Sequence, residues 1–98
     1  MTYATYRRLT RRLVAAIGGH ETSLAGGFYG ALLPVDGANL ILALDDNDST
    51  VSCWLENGDG DMVSGYESIT WSPRDPGSTT SVTRRALAEL LPQLRRAA

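Results

Sequence analysis

The sequence predicts one α+β domain, a four-stranded antiparallel meander with an N-terminal and a C-terminal helix packed on one face, in the order α-β-β-β-β-α. Three observations predict it. Apolar residues recur at helical spacing near both ends of the 98-residue chain, and between Leu24 and Ser72 the period drops to two. Short stretches rich in Gly, Asp and Asn cut that middle region into strand lengths. A chain of this size builds one hydrophobic core, so residues 1–98 are read as a single domain.

Residues 3 to 17 begin the argument. Tyr6, Leu9, Leu13, Ala16 and Ile17 follow at spacings of three and four, which makes one stripe of an amphipathic helix. Arg7, Arg8, Arg11 and Arg12 fall on the opposite face. Gly18-Gly19 should stop the helix, because glycine takes the left-handed conformation without steric cost. His20, in "GGHETS", is expected in a loop.

Four alternating runs follow. "FYGALLPV" meets "NLILALD" across Asp36-Gly37, "NLILALD" meets "STVSCWLE" across "DDND", and "STVSCWLE" meets "MVSGYESITW" across "NGDGD". Leu40, Leu42, Leu44, Val51, Cys53, Leu55, Ile69 and Trp71 are expected to point inward. Tyr29, Ile41, Ala43 and Trp54 are expected on the other face, either as a contact surface, through which a homodimer could form, or buried by sheet curvature. After the break from Pro73 to Gly77, Ser81 can cap a second helix with Leu87, Leu90, Leu91 and Leu94 as its core stripe. Pro92 is expected to kink or end it.

Composition narrows the function classes. No run approaches the roughly 20 apolar residues of a membrane span, and arginines interrupt the N-terminal apolar pattern where a signal peptide would have none, so a cytoplasmic location is expected. Cys53 is the only cysteine, which excludes an intramolecular disulfide and a cysteine-based zinc cluster. All nine basic residues are arginine, a habit of GC-rich coding rather than a mechanism. No glycine-rich phosphate loop is present, since "AGGFYG" falls at a strand. A Cys53-His20 dyad would need Cys53 out of the core, contrary to its alternation with Val51 and Leu55. No catalytic residue, metal or cofactor is assigned, and the chain is not expected to be an enzyme.

Within "WLENGDGDM", Asn57, Asp59 and Asp61 alternate as oxygen donors do in a calcium loop, while Asn57-Gly58 signals a hairpin turn. A helix-flanked calcium loop needs glycine at its sixth position and glutamate at its twelfth. Counting from Asn57 gives Met62 and Ser68; counting from Asp45 puts Glu56 correctly at the twelfth position but Thr50 at the sixth. The hairpin reading prevails.

Charge is segregated along the chain. Residues 1–35 carry a net +3, residues 36–75 a net −8 and residues 76–98 a net +3, within an overall −2. In a meander the first and third turns lie at one end, bringing Asp36, Asp59 and Asp61 together with Glu56 close behind. Asp45, Asp46 and Asp48 fall at the other end. With Trp54, these acids are the candidate contacts to a partner protein bearing a basic surface.

The arginine faces suggest a different partner. Arg7, Arg8, Arg11, Arg12, Arg84 and Arg85 are candidate contacts to RNA or DNA. In outline the chain, with paired arginines in "SVTRRALAEL" opening its last helix, resembles the α-β-β-β-α order of double-stranded RNA-binding domains, which use basic residues there to span phosphates. The chain departs from them by an extra strand, by lacking a histidine-bearing minor-groove loop and by its acidic turns, and membership is not assigned. The expectation is therefore a non-enzymatic protein-binding module, in its sharpest form a phage or mobile-element inhibitor. Nucleic-acid binding or an immunity protein against a toxin are the alternatives.

Overall fold

The computed structural model describes residues 2–45 and 49–97. It has α1 (Tyr3–Ile17), β1 (His20–Ser23), a short 3-10 turn (Ala25–Gly27), β2 (Tyr29–Val35), β3 (Ala38–Leu44), β4 (Thr50–Glu56), β5 (Glu67–Thr70) and α2 (Pro76–Ala97). The strands form one antiparallel sheet in the order β1-β2-β3-β4-β5. The architecture is the expected α+β meander between two helices, with five strands where four were expected.

Thr2 opens α1 by accepting the Thr5 amide, and Gly18 closes it at φ 70, with the Gly19 amide reaching the Val14 carbonyl. Tyr6, Leu9, Thr10 and Leu13 are buried and Ile17 packs against the core, whereas Ala16, at the margin of the stripe, is exposed. Only two residues, Gly18 and Gly19, separate the helix from the additional strand. A Cβ on Gly19 would lie 2.4 Å from the Leu32 carbonyl oxygen, so the absence of a side chain lets the chain pass from α1 directly into β1. His20 thus belongs to an edge strand, paired with Leu32, rather than to a loop. "HETS" contains no apolar residue, and its strand state comes from backbone pairing with β2.

Register assigns the faces. Ala31 pairs with Leu42, and Leu42 with Cys53. These residues lie under the helices, together with Leu40, Leu44, Val51, Leu55, Ile69 and Trp71, as the alternation predicts. Tyr29, two residues from Ala31, shares that face, which corrects its expected place beside Ile41 and Trp54.

The β2–β3 turn is made by Asp36 and Gly37, both at positive φ (51 and 81), the two-residue hairpin geometry that matches strand twist. The β4–β5 turn is built differently from the expected Asn57-Gly58 pair. The Gly60 amide reaches the Asn57 carbonyl at 3.1 Å, and Gly60, not Gly58, takes the left-handed conformation at φ 86. Beyond the Glu56–Met62 bridge the expected strand is interrupted. The Ser64 hydroxyl accepts the Leu55 amide at 2.8 Å in place of a carbonyl, and the Gly65 amide donates to Gln93 Oε1 of α2 at 2.9 Å. Regular pairing resumes only at Glu67.

α2 begins before Ser81. Asp75 accepts the Gly77 amide at 3.0 Å across Pro76, the residue type suited to a first helical position. Ser81 lies inside the helix, its hydroxyl donating to the Ser78 carbonyl. Val82, Ala86 and Leu90 are the buried side; Leu87 and Leu94 pack at its margin and Leu91 is half-buried, a rotation of the expected stripe. Pro92 does not end the helix, which runs on to Ala97.

Both helices run in the same general sense. Tyr6 donates to the Tyr29 carbonyl near the start of α1, and the residues after α1 meet Leu32. Arg85 reaches the Thr70 carbonyl, whereas Gln93, later in α2, holds Gly65 and Glu67. Their C-terminal ends therefore lie toward the end of the sheet that carries the Asp36-Gly37 turn.

Candidate protein-docking surface

The sheet face away from the helices carries Ile41 and Trp54, for which the sequence leaves a contact surface and burial by curvature both open. In the fold Ile41 is 1 % exposed and Trp54 9 %. Leu24 lies over Gly30 beside Ile41: a Cβ on Gly30 would meet Leu24 Cδ1 at 3.1 Å and Ile41 Cγ2 at 3.6 Å. Trp54 is covered by Tyr66, ring against edge at 5.1 Å, and its indole N–H donates to Glu56 Oε2 at 2.8 Å. Trp54 is thus the floor of a patch rather than its contact surface.

Tyr66 supplies that surface. It is 64 % exposed, and Met62, bridged to Glu56 on the same face, is exposed as well. The irregular Val63–Tyr66 segment places the Tyr66 ring over Trp54. The β4–β5 register agrees with this placement: Glu67 faces the helices opposite Cys53, so its neighbour Tyr66 faces away.

An acidic rim lies beside this patch. Pairing of Pro34 with Asn39 and of Asn39 with Glu56 sets the two turns at the same end of the sheet, about two strand spacings or ~10 Å apart. Asp36, Asp59 and Asp61 are exposed there, and Glu56 is half-buried behind them. Asn57 Oδ1 accepts the amides of Asp59 at 2.9 Å and Asp61 at 3.0 Å, so the residue that would open a calcium loop spends its side-chain oxygen on its own backbone. Among the described residues no group of three or more His, Cys, Asp or Glu side chains is arranged to hold a metal ion.

The other sequence candidates separate from the rim. Asp45 accepts the hydroxyls of Thr50 and Ser52 and acts as an internal brace. Asp46 and Asp48 lie outside the described residues. Arg7 stacks over the Tyr29 ring at 3.7 Å and is salt-bridged to Glu21, which also meets Arg11 at 3.8 Å. Arg12 donates to the Pro73 carbonyl at 3.0 Å, and Arg85 to that of Thr70. Arg8 and Arg84 are exposed. An open groove of about 630 Å³ follows the outer face of α1, lined by these four α1 arginines with Tyr3, Ala4 and Ala15.

The sheet holds Cys53 and His20 apart. His20 shares the outer face with Leu32 and Ile41, whereas Cys53 lies under the helices with Leu42. Burial, assisted by the Glu67 carboxylate, pushes the Cys53 thiol up to about 11, opposite to what a nucleophile requires.

Against protein-family models, curated proteins and solved structures the chain finds no match, so the docking surface stands on its geometry.

Proposed function

We propose that this chain is a small protein-binding module without chemistry of its own, docking the acidic end of its sheet on a basic surface of another protein. A phage or mobile-element inhibitor that covers such a surface on its target is the form we favour. The observation that carries the reading is the exposed Tyr66 ring, seated on Trp54 whose indole N–H is held by Glu56, with Asp36, Asp59 and Asp61 exposed in the turns at that end of the sheet. An aromatic anchor beside like charges is how protein interfaces divide their work: the ring contributes buried area, while the charges speed encounter and reject acidic partners. Turn chemistry explains Asp and Asn at these positions one at a time. It does not account for a tyrosine left exposed among them.

The test is capture from a nuclease-treated lysate by the immobilised chain, by a Tyr66→Ala variant and by a variant with Asp36, Asp59 and Asp61 replaced by Asn. A basic protein retained by the original chain, released by salt and lost with both variants is the expected result. Retention indifferent to both variants would sink the reading, as would retention that disappears with nuclease.

A further inference from the structure

Among the described residues the exposed large apolar side chains fall into two pairs. Met62 and Tyr66 belong to the acidic patch; Tyr3 (55 % exposed) and Phe28 (51 %) lie at the other end of the sheet. There Tyr3 stacks on Tyr6 with ring centres 6.3 Å apart, and Phe28 meets Tyr6 edge-on at 5.5 Å. Tyr3 also donates to the Gly27 carbonyl, which fixes its ring at the head of the α1 groove. Two exposed rings held by a third, one of them, Tyr3, lining a groove walled by arginine, call for an occupant with aromatic faces and regularly spaced negative charge.

We propose that this face of α1 binds single-stranded nucleic acid, with Tyr3 and Phe28 as stacking platforms for unpaired bases and Arg8, Arg11 and Arg12 as contacts to the backbone. Binding of single strands combines a basic channel along the phosphates with aromatic rings that accept any base. From Ala4 to Ala15 the groove runs about 16 Å along the helix, room for several successive phosphates. Its alanines leave space for the strand to approach. Glu21, the carboxylate at its margin, is already neutralised by Arg7 and Arg11. Asp45 lies at the same end of the sheet, but it is held by Thr50 and Ser52 on the face away from the helices. Asp36 lies beyond the other end of β2, about seven strand residues or ~23 Å from Tyr29, and Asp59 and Asp61 share that end, farther than the screening length of about 8 Å at physiological salt. This inference does not depend on the protein-docking reading, which uses the opposite end.

Fluorescence anisotropy with a short fluorescein-labelled oligothymidylate tests it. Affinity should fall steeply between about 50 and 200 mM salt. Arg8→Gln and Arg12→Gln should each lower the log–log salt slope by about 0.7, the value for one lost phosphate contact on a single strand. Tyr3→Ala should weaken binding about fivefold or more without altering the slope, and Tyr3→Phe should restore it. Thermal melting checks each variant; should Arg12→Gln unfold the protein through loss of its Pro73 contact, Arg8→Gln carries the slope measurement alone. No anisotropy change at about 50 mM salt would overturn the proposal. So would equal affinity for a duplex regardless of Tyr3→Ala, which would mean backbone attraction only. Displacement of the oligonucleotide by polyglutamate at equal charge would reassign the groove to an acidic protein segment.

Discussion

Asn57 holds two backbone amides with one side-chain oxygen, and this residue decides whether "NGDGD" is a bend or an ion site. Asn57→Ala leaves both amides to water in an exposed turn, and we expect a loss of about 1 kcal/mol, read as a melting temperature lower by roughly 4–8 °C. Millimolar calcium should leave the melting temperature of the unaltered chain unchanged, because stabilisation by a ligand requires preferential binding to the native state. A rise of several degrees would restore the ion site. Cys53 makes a second prediction at this scale. Its thiol ionises near 9.0 in an unfolded chain and only at about 11 in the fold, where burial disfavours the thiolate. Native protein at neutral pH should therefore react with a disulfide reagent far more slowly than protein in denaturant. Folding retains the proton longer than the unfolded chain does, so this residue leaves stability untouched below pH 9 and subtracts from it as pH climbs toward 11. Denaturant midpoints across that range would show the decline, and Cys53→Ala would remove its part of it.

Elements were legible where side chains announce them. Alternation in "NLILALD" and "STVSCWLE" identified β3, β4 and the inward set, and Gly18-Gly19 marked the end of α1. Of what escaped, three cases show why. β1 carries no alternation, since "HETS" is held by main-chain bonds to β2. α2 starts at Pro76 because Asp75 caps it, whereas Ser81, an equally good capping residue, is spent inside the helix. The Val63–Tyr66 irregularity depends on Ser64 and Gln93, a contact between residues far apart in sequence that no local pattern encodes. Tyr66 owes its exposure to that segment, so the acids of the candidate site could be read from the sequence while its aromatic centre could not. Gly19→Ala tests the junction of α1 with β1. The added methyl would meet the Leu32 carbonyl, a backbone atom unable to move alone, and we expect a cost of about 1–3 kcal/mol by chemical denaturation. Loss of amide-exchange protection confined to β1 and β2 would locate the damage, and unchanged stability would contradict the close approach.

For the whole molecule, the acidic end is a tension between folding and encounter. Like charges at Asp36, Asp59 and Asp61, gathered at one end of the sheet, repel one another in the isolated chain. Replacing all three by Asn keeps side chains suited to turns, so the variant should melt at the same temperature or slightly higher in low salt. That difference should vanish as salt is added. A clear drop in melting temperature would mean that the carboxylates brace the turns, and would remove the reason for assigning them to a partner. The same separation of charge governs how the protein meets any charged matrix. With a net charge of −2 and a pI near 5.2, it would be expected to ignore a cation exchanger at neutral pH. Its arginine-walled helix face gives it a second way to adsorb, oriented with the acidic turns toward solvent. At low ionic strength it should be retarded on resins of both signs, and the orientation it adopts on each would present the opposite surface for capture.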